Sequence, residues 1–263
     1  MVNDRVVHHF SSLDSTNRYA LDLALRGATP GTLILADYQT RGRGRHDRTF
    51  CSPPGGLYFS LILQPTLNIG ERPLISLAAG IGCCLALEAT APIDVFLKWP
   101  NDLFADNRKL GGILVECPAV PASAQNCTVI VGVGINVNSV PEDFPSEIRV
   151  TLTTLKTLTG ETYDISRLGQ AMADEIEQMV NLLIIDRPAL LARWQERDYL
   201  LGKSVRVRLE ERMEDAIGSG LARDGSGSYC LKKLDGTLKK ILAGDILLTP
   251  ENGTLHAFQE GET

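Results

Sequence analysis

Two short motifs of this chain hold side chains that could bind an anion and move a proton. The first is Lys98-Trp99-Pro100-Asn101-Asp102, which lies between two apolar runs and is soon followed by Lys109. A turn between two strands would bring Lys98, Asp102 and Lys109 to one rim. Two cations and a carboxylate at one rim suit a negatively charged ligand and a proton transfer.

The second motif alternates arginine with glycine. Gln39-Thr40-Arg41-Gly42-Arg43-Gly44-Arg45 directly follows the strand-like run 32–36. Arg43 and Arg45 are two positions apart, so in an extended loop they should project to one side. Glycine lets the backbone approach a phosphate closely, and the guanidinium fork matches carboxylate and phosphate oxygens. Taken alone, this loop would be better interpreted as a flexible, solvated basic loop.

The loop does not match the common nucleotide-binding fingerprints. In a Gly-x-Gly-x-x-Gly pattern starting at Gly42, Asp47 stands at the third glycine, and no Gly-x-x-x-x-Gly-Lys-Ser/Thr sequence occurs. The classical dinucleotide and mononucleotide folds are therefore disfavoured.

Five motifs together resemble those of the biotin protein ligases, which use ATP. They are Ser15-Thr16-Asn17, Gly42 to Arg45, Lys98 to Asp102, Lys109 to Glu116, and Gly132-Val133-Gly134-Ile135-Asn136. Any one motif could arise by chance, but five in family order over most of the chain are strong evidence of a relationship. The resemblance implies an α/β (α+β) fold: a class II synthetase-like catalytic domain, with a mixed sheet flanked by helices, joined to a small C-terminal β-barrel.

The resemblance also implies a reaction in two halves. The carboxylate of biotin attacks the α-phosphorus of ATP to form biotinyl-5'-adenylate, and a lysine of a biotin carboxyl carrier protein then attacks that adenylate. Neither half needs an enzyme nucleophile, so the main task of the protein is to neutralise and position charge. The expected small molecules are biotin, ATP and Mg²⁺, the carrier is the expected partner, and a homodimer is an open alternative.

Site residues carried over from the family fall into three groups. The expected catalytic residues are Arg45, Lys109, Asp102 and Lys98. The expected biotin-binding residues are Ser15, Thr16, Asn17, Gln39, Arg43, Gly44, Arg45, Lys109, Gly112, Leu114 and Gly132. The expected ATP-binding residues are Arg43, Arg45, Arg48, Phe50, Lys98 and Asn136.

Some of these residues also have plain structural interpretations. Hydroxyl and amide groups of the Ser15-Thr16-Asn17 motif and Gln39 could bond the N–H and carbonyl groups of a ureido ring, but the same motif is also a helix cap. Gly111 and Gly112 would leave room for a flat ligand, and for Gly111 close strand packing is an equally good explanation. Trp99 is interpreted as a structural wedge under its turn.

Asp102 is the expected base for the second half-reaction. A free lysine amine has a pKa near 10.4, so the neutral amine costs about 4 kcal/mol near pH 7.4. A neighbouring carboxylate could orient the amine and accept its proton. The alternative is an Asn-Asp turn held by its own side chain, and one residue can fill both roles.

The chain departs from the family pattern just after the arginine-glycine loop. The family usually continues with Gly-Arg and then an aromatic residue, most often tryptophan, whereas this chain has Asp47, Arg48 and, as the aromatic, Phe50. Arg48 matches the pattern. Asp47 adds an acidic group near the expected phosphates, and Phe50 offers a smaller stacking surface. The loop of this chain could therefore order over an adenylate differently from the loop of other family members.

Composition indicates an ordinary folded protein. Its 263 residues are 44% hydrophobic and 22% charged, with a net charge of −6, which argues against a general nucleic-acid binder. The six cysteines include no Cys-x-x-Cys pair, and the four histidines have no zinc-ligand spacing, so we expect a reduced, cytoplasmic protein without a structural metal. Neither a signal peptide nor an apolar run of membrane-spanning length is present, so no membrane association is expected.

Periodicity and turn signals predict two domains. Helices are expected at 15–26, 72–90, 166–185 and 188–200, with apolar strands at about 32–37, 57–63, 95–98, 110–117 and 128–136 and a loop at 118–126. After Gly202 short alternating segments and two Asp-Gly turns predict a small β unit. We therefore expect a catalytic domain at 1–201, a barrel at 203–250 and a tail at 251–263. The Ser-Thr-Asn motif begins at residue 15, which leaves no room for the N-terminal DNA-binding domain of some family members.

Two other functions are kept as alternatives. A lipoate or octanoate ligase or transferase would share the catalytic fold, but those families lack the Lys-Trp-Pro-Asn-Asp and Gly-Arg-Gly-Arg pair. A non-catalytic module that senses biotin or binds the carrier would be favoured if Asp47 and Phe50 disable adenylation.

Overall fold

The computed structural model describes residues 5–118, 128–209, 212–242, 244 and 246–249, and their strands form two sheets. The seven-stranded sheet has the spatial order β1 (Val7–Phe10), β2 (Leu33–Ala36), β3 (Leu57–Leu63), β7 (Val129–Ile135), β6 (Arg108–Glu116), β5 (Asp102–Ala105) and β4 (Phe96–Lys98). The five-stranded sheet has the order β11 (Leu238–Ile241), β10 (Tyr229–Lys233), β9 (Arg212–Leu221), β8 (Ser204–Leu209) and β12 (Ile246–Leu248).

The α-helices of the described residues are α1 (Thr16–Leu25), α2 (Pro73–Thr90), α3 (Ser146–Arg149), α4 (Leu155–Thr159), α5 (Ile165–Ile185) and α6 (Arg187–Gln195). Their ends follow from local chemistry. The Asp164 carboxylate accepts the Arg167 N–H at the start of α5, and Asp186 accepts the Ala189 N–H at the start of α6. Such caps satisfy N–H groups that have no partner inside the helix.

The seven-stranded sheet is mixed and is covered on both faces. β1 pairs parallel with β2, and every other neighbouring pair in this sheet is antiparallel. β3 and β7 are buried along their whole length, because α1 packs on one face while α2 and α5 form a layer on the other. Strands buried on two faces are apolar throughout. The predicted mixed sheet flanked by helices is confirmed.

The helix α2 is apolar around its whole circumference because it lies inside the protein. Its length and composition would allow it to cross a membrane, yet most of its side chains are buried against the sheet and α5. At Gly82 a methyl group would come within 2.7 Å of the Ile176 backbone nitrogen. Only glycine therefore permits the observed approach of α2 to α5.

The segment that follows α6 and the second sheet both bond to β4 and the turn after it. The Leu97 N–H donates to the Arg197 carbonyl at 2.8 Å and the Tyr199 N–H donates to the Leu97 carbonyl at 3.0 Å, which covers the outer edge of β4. The buried Trp99 indole donates to the Gly227 carbonyl at 3.1 Å. Trp99 thus has a structural role, as interpreted from the sequence, and it contacts the second sheet's β9–β10 connection as well as supporting its own turn.

The predicted C-terminal β domain is present as an antiparallel sheet. β11 and β12 lie at its two edges, and within the described residues no ladder joins them, so a closed barrel is not formed there. The predicted helix at 188–200 is shorter, since α6 ends at Gln195. Most of the predicted loop at 118–126 and the tail at 251–263 lie outside the described residues.

Candidate active site

A cleft of about 160 Å³ opens on the face of the seven-stranded sheet that carries α1. The side chains and backbone around it come from α1, the arginine-glycine loop and strands β5 to β7. The lining residues are Ser15, Thr16, Asn17, Gln39, Arg43, Gly44, Arg45, Arg48, Thr49, Phe50, Asn101, Asp102, Lys109, Gly112, Ile113, Leu114, Gly132, Val133 and Gly134.

The floor of the cleft is built by glycines on paired strands. In the β6–β7 register Gly112 is opposite Gly134, and Leu114 is opposite Gly132. Directly paired residues project to the same face of a sheet, so these three glycines lower one patch of the floor. A methyl on Gly134 would lie 2.4 Å from the Phe50 ring. Phe50 therefore rests on the glycine floor and forms one wall of the cleft.

One end of the cleft is polar but uncharged. Ser60 Oγ lies 2.6 Å from Asn17 Oδ1 and 2.9 Å from Thr16 Oγ1. The Thr16 N–H donates to Gln39 Oε1 at 2.9 Å, and Gln39 Nε2 bonds Ser52 Oγ at 2.9 Å. These groups form one chain of hydrogen bonds, which fixes their orientations and presents both donors and acceptors at the wall.

The other end of the cleft carries charge. Lys109 Nζ lies 2.7 Å from Asp102 Oδ1, with both side chains partly exposed. Asn101 Nδ2 donates to the Ile113 carbonyl at 2.8 Å, and Arg45 Nη1 donates to Asn101 Oδ1 at 3.3 Å. Asn101 thus connects the tip of the arginine-glycine loop to the strand that carries Lys109.

The arginine-glycine loop is a tight hairpin. The Phe50 N–H donates to the Gly42 carbonyl at 2.9 Å, and the Gly44 N–H donates to the Arg48 carbonyl at 2.7 Å. The turn passes through His46 at φ 53° and Asp47 at φ 57°. A left-handed backbone favours glycine, and aspartate is among the few other residues that tolerate it. This conformation gives a physical reason for the glycine of the family pattern at position 47.

The hairpin sends its two central arginines in different directions. Arg45 reaches Asn101 at the charged end, whereas Arg43 Nη1 lies 3.1 Å from Glu116 Oε1 beyond the uncharged end. Both arginines line the cleft, as expected from their spacing, but they bond to different partners at its two ends. Arg48 and Phe50 return along the second arm of the hairpin and line the cleft.

The reactive side chains beneath the loop are poor nucleophiles. Burial raises the pKa of the Cys51 thiol, which disfavours the reactive thiolate. Burial also raises the pKa of Tyr58, whose hydroxyl donates to the Pro53 carbonyl at 2.7 Å. Among the described residues no three His, Cys, Asp or Glu side chains are grouped to hold a metal ion.

The sequence and the fold of this chain are similar to those of known proteins. The model of the biotin/lipoate A/B protein ligase family matches residues 9–136. The bifunctional ligase/repressor BirA of Bacillus subtilis is 33% identical over 250 residues, which are 94% of this chain and 75% of that protein. The chain belongs to the biotin protein ligase family.

Other biotin protein ligases cover the chain to a similar extent. The biotin–[acetyl-CoA-carboxylase] ligase of Mycobacterium tuberculosis is 32% identical over 242 residues, covering 89% of this chain and 85% of that one. The solved structure of the Aquifex aeolicus biotin protein ligase in complex with biotin and ATP has a TM-score of 0.78 and 29% identity, and covers 93% of this chain and 98% of that chain. The catalytic fold expected from the five motifs is confirmed, and the C-terminal antiparallel sheet fits the expected small β domain.

Most of the predicted site residues of this biotin protein ligase meet at the cleft. Two do not line it. The Lys98 ammonium lies 5.5 Å from the centre of the Phe104 ring, at the β4 edge beside Asp102. Asn136 is buried, and its Nδ2 donates to the Thr153 carbonyl at 3.0 Å. A direct nucleotide contact by either residue stays a prediction.

Several residues in or beside the cleft were not among the site residues predicted from the sequence. Asn101 and Gly134 lie inside quoted motifs, and the spacing of Gly134 from Gly132 already places both on one strand face. Ser60 is the one serine in the otherwise apolar and aromatic sequence of β3, a signal that could have been used. Glu116 ends the Lys-Leu-x-Gly-Ile-Leu-Val-Glu motif, but its bond to the distant Arg43 has no signal in local sequence.

Proposed function

We propose that this chain activates biotin with ATP as biotinyl-5'-adenylate and transfers it to a lysine of a biotin carboxyl carrier protein. The observation that carries the proposal is the division of one cleft into an uncharged hydrogen-bonding end and a cationic end with a carboxylate. Biotin has the same division, with a neutral ureido ring at one end and a carboxylate at the other.

The uncharged end suits the ureido ring. The ring offers two N–H donors and one carbonyl acceptor, and the bonded chain of Thr16, Asn17, Gln39 and Ser60 supplies acceptors and donors already held in position. Side chains that are oriented before binding lose little entropy on binding. The glycine floor at Gly112, where a methyl would meet only the ends of the Asp102 and Lys109 side chains, leaves room for a flat bicyclic ligand.

The cationic end suits the first half-reaction. A carboxylate must meet the α-phosphate of ATP, so positive charge has to offset two anions at once. Lys109 and Arg45 approach this end from opposite walls, one on β6 and one on the hairpin. Their role is to hold both anions and to stabilise the charge that develops in transfer.

The second half-reaction uses the other member of the ion pair. Asp102 is paired with Lys109, so binding of an anion by Lys109 would leave the Asp102 carboxylate available to a second partner. A carrier lysine entering the cleft would supply that partner. Asp102 can then orient the amine and accept its proton, as general base catalysis requires.

Mg²⁺ enters this scheme as the counter-ion of the nucleotide substrate. Magnesium at such sites usually keeps several waters and binds substrate phosphates with one or two carboxylates. The carboxylate that lines the cleft is Asp102. We place the ion on the phosphates and assign no protein cage to it. A carrier domain as partner and a cytoplasmic location go with this function.

Lys98 and Asn136 were both expected to contact the nucleotide, but their positions suggest different roles. Lys98 is opposite Asp102 in the β4–β5 register, next to the charged end. Asn136 holds the segment beside Lys109, since its N–H donates to the Leu110 carbonyl at 2.9 Å and its carbonyl accepts the Leu155 N–H at 3.0 Å. We propose that Asn136 acts by positioning this segment.

Biotin-dependent exchange of label between pyrophosphate and ATP tests the function. Lys109→Ala and Arg45→Ala should each lower exchange by about a hundredfold or more, because each removes a cation from the site of charge transfer. Arg108→Ala is the matched control, since Arg108 neighbours Lys109 but pairs with Asp106 outside the cleft. Wild-type exchange in both cleft variants would contradict the proposal.

The same assay separates the two alternatives. Lipoate or octanoate in place of biotin would support exchange if the chain were a lipoate or octanoate enzyme, although hydrocarbon would then face the polar wall at a cost. A module that only senses biotin would bind biotin and show no exchange with any acid.

A further inference from the structure

Glu116 joins two elements that flank the uncharged end of the cleft. Its Oε1 lies 3.1 Å from Arg43 Nη1, and its Oε2 accepts a hydrogen bond from Asn17 Nδ2 at 2.9 Å. Arg43 belongs to the hairpin and Asn17 to α1, while Glu116 is the last residue of β6. One carboxylate therefore holds the loop and the helix to the same strand end.

The hairpin is attached at both ends of the cleft by different bonds. At the charged end, Arg45 donates to Asn101, a bond between a cation and a neutral amide. At the uncharged end, Arg43 forms an ion pair with Glu116. We call the Arg43–Glu116 pair the strap. Because it runs from the hairpin to the end of β6, the strap lies at the uncharged end of the cleft, where Asn17 also bonds Glu116.

We infer that Glu116 is a positioning residue whose strap holds the hairpin over the bound intermediate between the two half-reactions. The inference rests on the proposed function, in which an activated adenylate must wait for the carrier. Glu116 does not line the cleft, so it would act through Arg43 and Asn17 and not by contact with the reacting atoms.

The strength of the strap fits an attachment that must also open. Arg43 is 42% exposed and Glu116 20% exposed. A pair exposed to this degree is worth less than about 1 kcal/mol, which corresponds to a factor of about five in a rate. A bond of this size slows the departure of a ligand without preventing the entry of substrates.

The first experiment needs no ligand. The hairpin contains Arg43, Arg45 and Arg48, which are cleavage sites for trypsin, and cleavage requires the hairpin to open locally. Glu116→Gln keeps an amide oxygen for Asn17 but removes the charge that holds Arg43. Trypsin should cut this variant after Arg45 and Arg48 about two- to fivefold faster than the wild type, as followed by mass spectrometry.

Asp215→Asn is the matched control for this experiment. It makes the same change in net charge and breaks another exposed ion pair, with Arg206, on the second sheet. Its hairpin should be cut at the wild-type rate. Circular dichroism would establish that both variants are folded. Equal cutting of Glu116→Gln and the wild type would overturn the strap.

The second experiment measures the intermediate directly. Labelled biotinyl-5'-adenylate would be bound to the full chain and chased with unlabelled adenylate. Arg43→Gln and Glu116→Gln should each speed its release about two- to fivefold, and the double variant should be no faster than the faster single one. Multiplied effects in the double variant would show that the two residues do not act as a pair, and would overturn the inference.

The two experiments distinguish failure of the strap from failure of the proposed function. If the wild type binds no adenylate, the proposed function fails and the role of retaining an intermediate fails with it, whereas the trypsin result still reports on the attachment itself. If the wild type binds adenylate and Glu116→Gln releases it at the same rate, only the strap is wrong.

Discussion

Gly112 and Gly132 lie on the same face of neighbouring strands, but the space above them differs. A methyl on Gly132 would stand 1.9 Å from Asn17 Oδ1, whereas a methyl on Gly112 would stand 3.3 Å from Asp102 Oδ1 and 3.6 Å from Lys109 Nζ. The space above Gly132 is thus filled by the Asn17 side chain. The space above Gly112 belongs to the cleft and is bordered by the ends of the Asp102 and Lys109 side chains. Two residues that the family resemblance places in one biotin-binding group therefore have different physical roles.

Alanine at these two positions should separate the two roles. Gly132→Ala must displace the buried Asn17 amide from Ser60 and Glu116, so we expect a loss of about 1 to 3 kcal/mol in the free energy of unfolding. Gly112→Ala should keep wild-type stability and weaken biotin binding. Urea unfolding and binding titrations measure both effects. Equal stability of the two variants would contradict this assignment.

Asp102→Asn should impair transfer to the carrier lysine more than it impairs adenylate formation. The amide keeps the shape of the turn but is a poor base, and the proton of the amine appears only in the second half-reaction. Transfer from pre-made biotinyl-5'-adenylate should be slow near neutral pH and should recover toward the pKa of free lysine, near 10.4.

Asp106→Asn is the control, because Asp106 pairs with Arg108 on the same hairpin of strands but outside the cleft. If Asp102→Asn transfers normally from pre-made adenylate but cannot form it, Asp102 serves the first half-reaction instead. The Lys109 pairing would then be the relevant contact.

At the scale of elements, the arginine-glycine hairpin is held by few bonds and carries strain. Two successive residues, His46 and Asp47, have positive φ, and a non-glycine residue in that region costs about 1 to 2 kcal/mol. The cross-strand bonds from Gly44 and Phe50 must offset this cost. The position of the hairpin is therefore sensitive to small changes in its turn.

Asp47→Gly should favour the closed hairpin by up to about 1 kcal/mol, since glycine adopts positive φ without strain. Amide hydrogen exchange at Gly44 and Phe50 should slow accordingly. Asp47→Asn is the matched control, because it removes the charge and keeps a residue of similar tolerance for this backbone. If both variants slow exchange equally, charge and not strain is the cause.

Elements with a strong local pattern could be predicted from the sequence, and those made by long-range pairing could not. β3 was predicted with its observed bounds because every residue of Leu57–Leu63 except Ser60 is apolar or aromatic. β1, with two histidines in four residues, and the short β5 become strands only through their neighbours in the sheet. The motifs likewise located the cleft, but the direction of Arg43 depends on a bond to Glu116 that no local pattern encodes.

At the scale of the whole molecule, the two sheets share one apolar core. Tyr229 of the second sheet packs against Trp99 and Trp194 of the first domain, and its hydroxyl donates to Asp198 Oδ2 at 2.8 Å. We propose that residues 1–201 form a catalytic domain and residues 203–250 a second domain. The shared core nevertheless means that removal of the second unit would expose buried aromatic side chains and lower the stability of the first.

The contact between the two sheets, which we call the junction, contains the carboxyl group of Asp198. We expect this group to dominate the pH dependence of the free energy of unfolding. Burial raises the pKa of Asp198 from 3.8 to about 6, although bonds from the Leu200 N–H and the Tyr229 hydroxyl lower it. Lys203 also faces this carboxyl, and burial lowers the pKa of its amine. Because the folded pKa is above the unfolded value, the favourable contribution of Asp198 is complete below pH 3.8 and is lost as the pH rises through 6.

Asp198→Asn should therefore become more stable relative to the wild type as the pH rises. Between pH 5 and pH 8 we expect this difference in the free energy of unfolding to grow by about 1 to 2 kcal/mol. Tyr229→Phe removes a donor to the carboxylate and should move the same loss of stability to higher pH. Urea unfolding of the three proteins across this range measures the effect. A wild type and an Asn variant with parallel pH profiles would show that Asp198 ionises alike in the folded and unfolded chains, and that the junction is more open to water than its burial indicates.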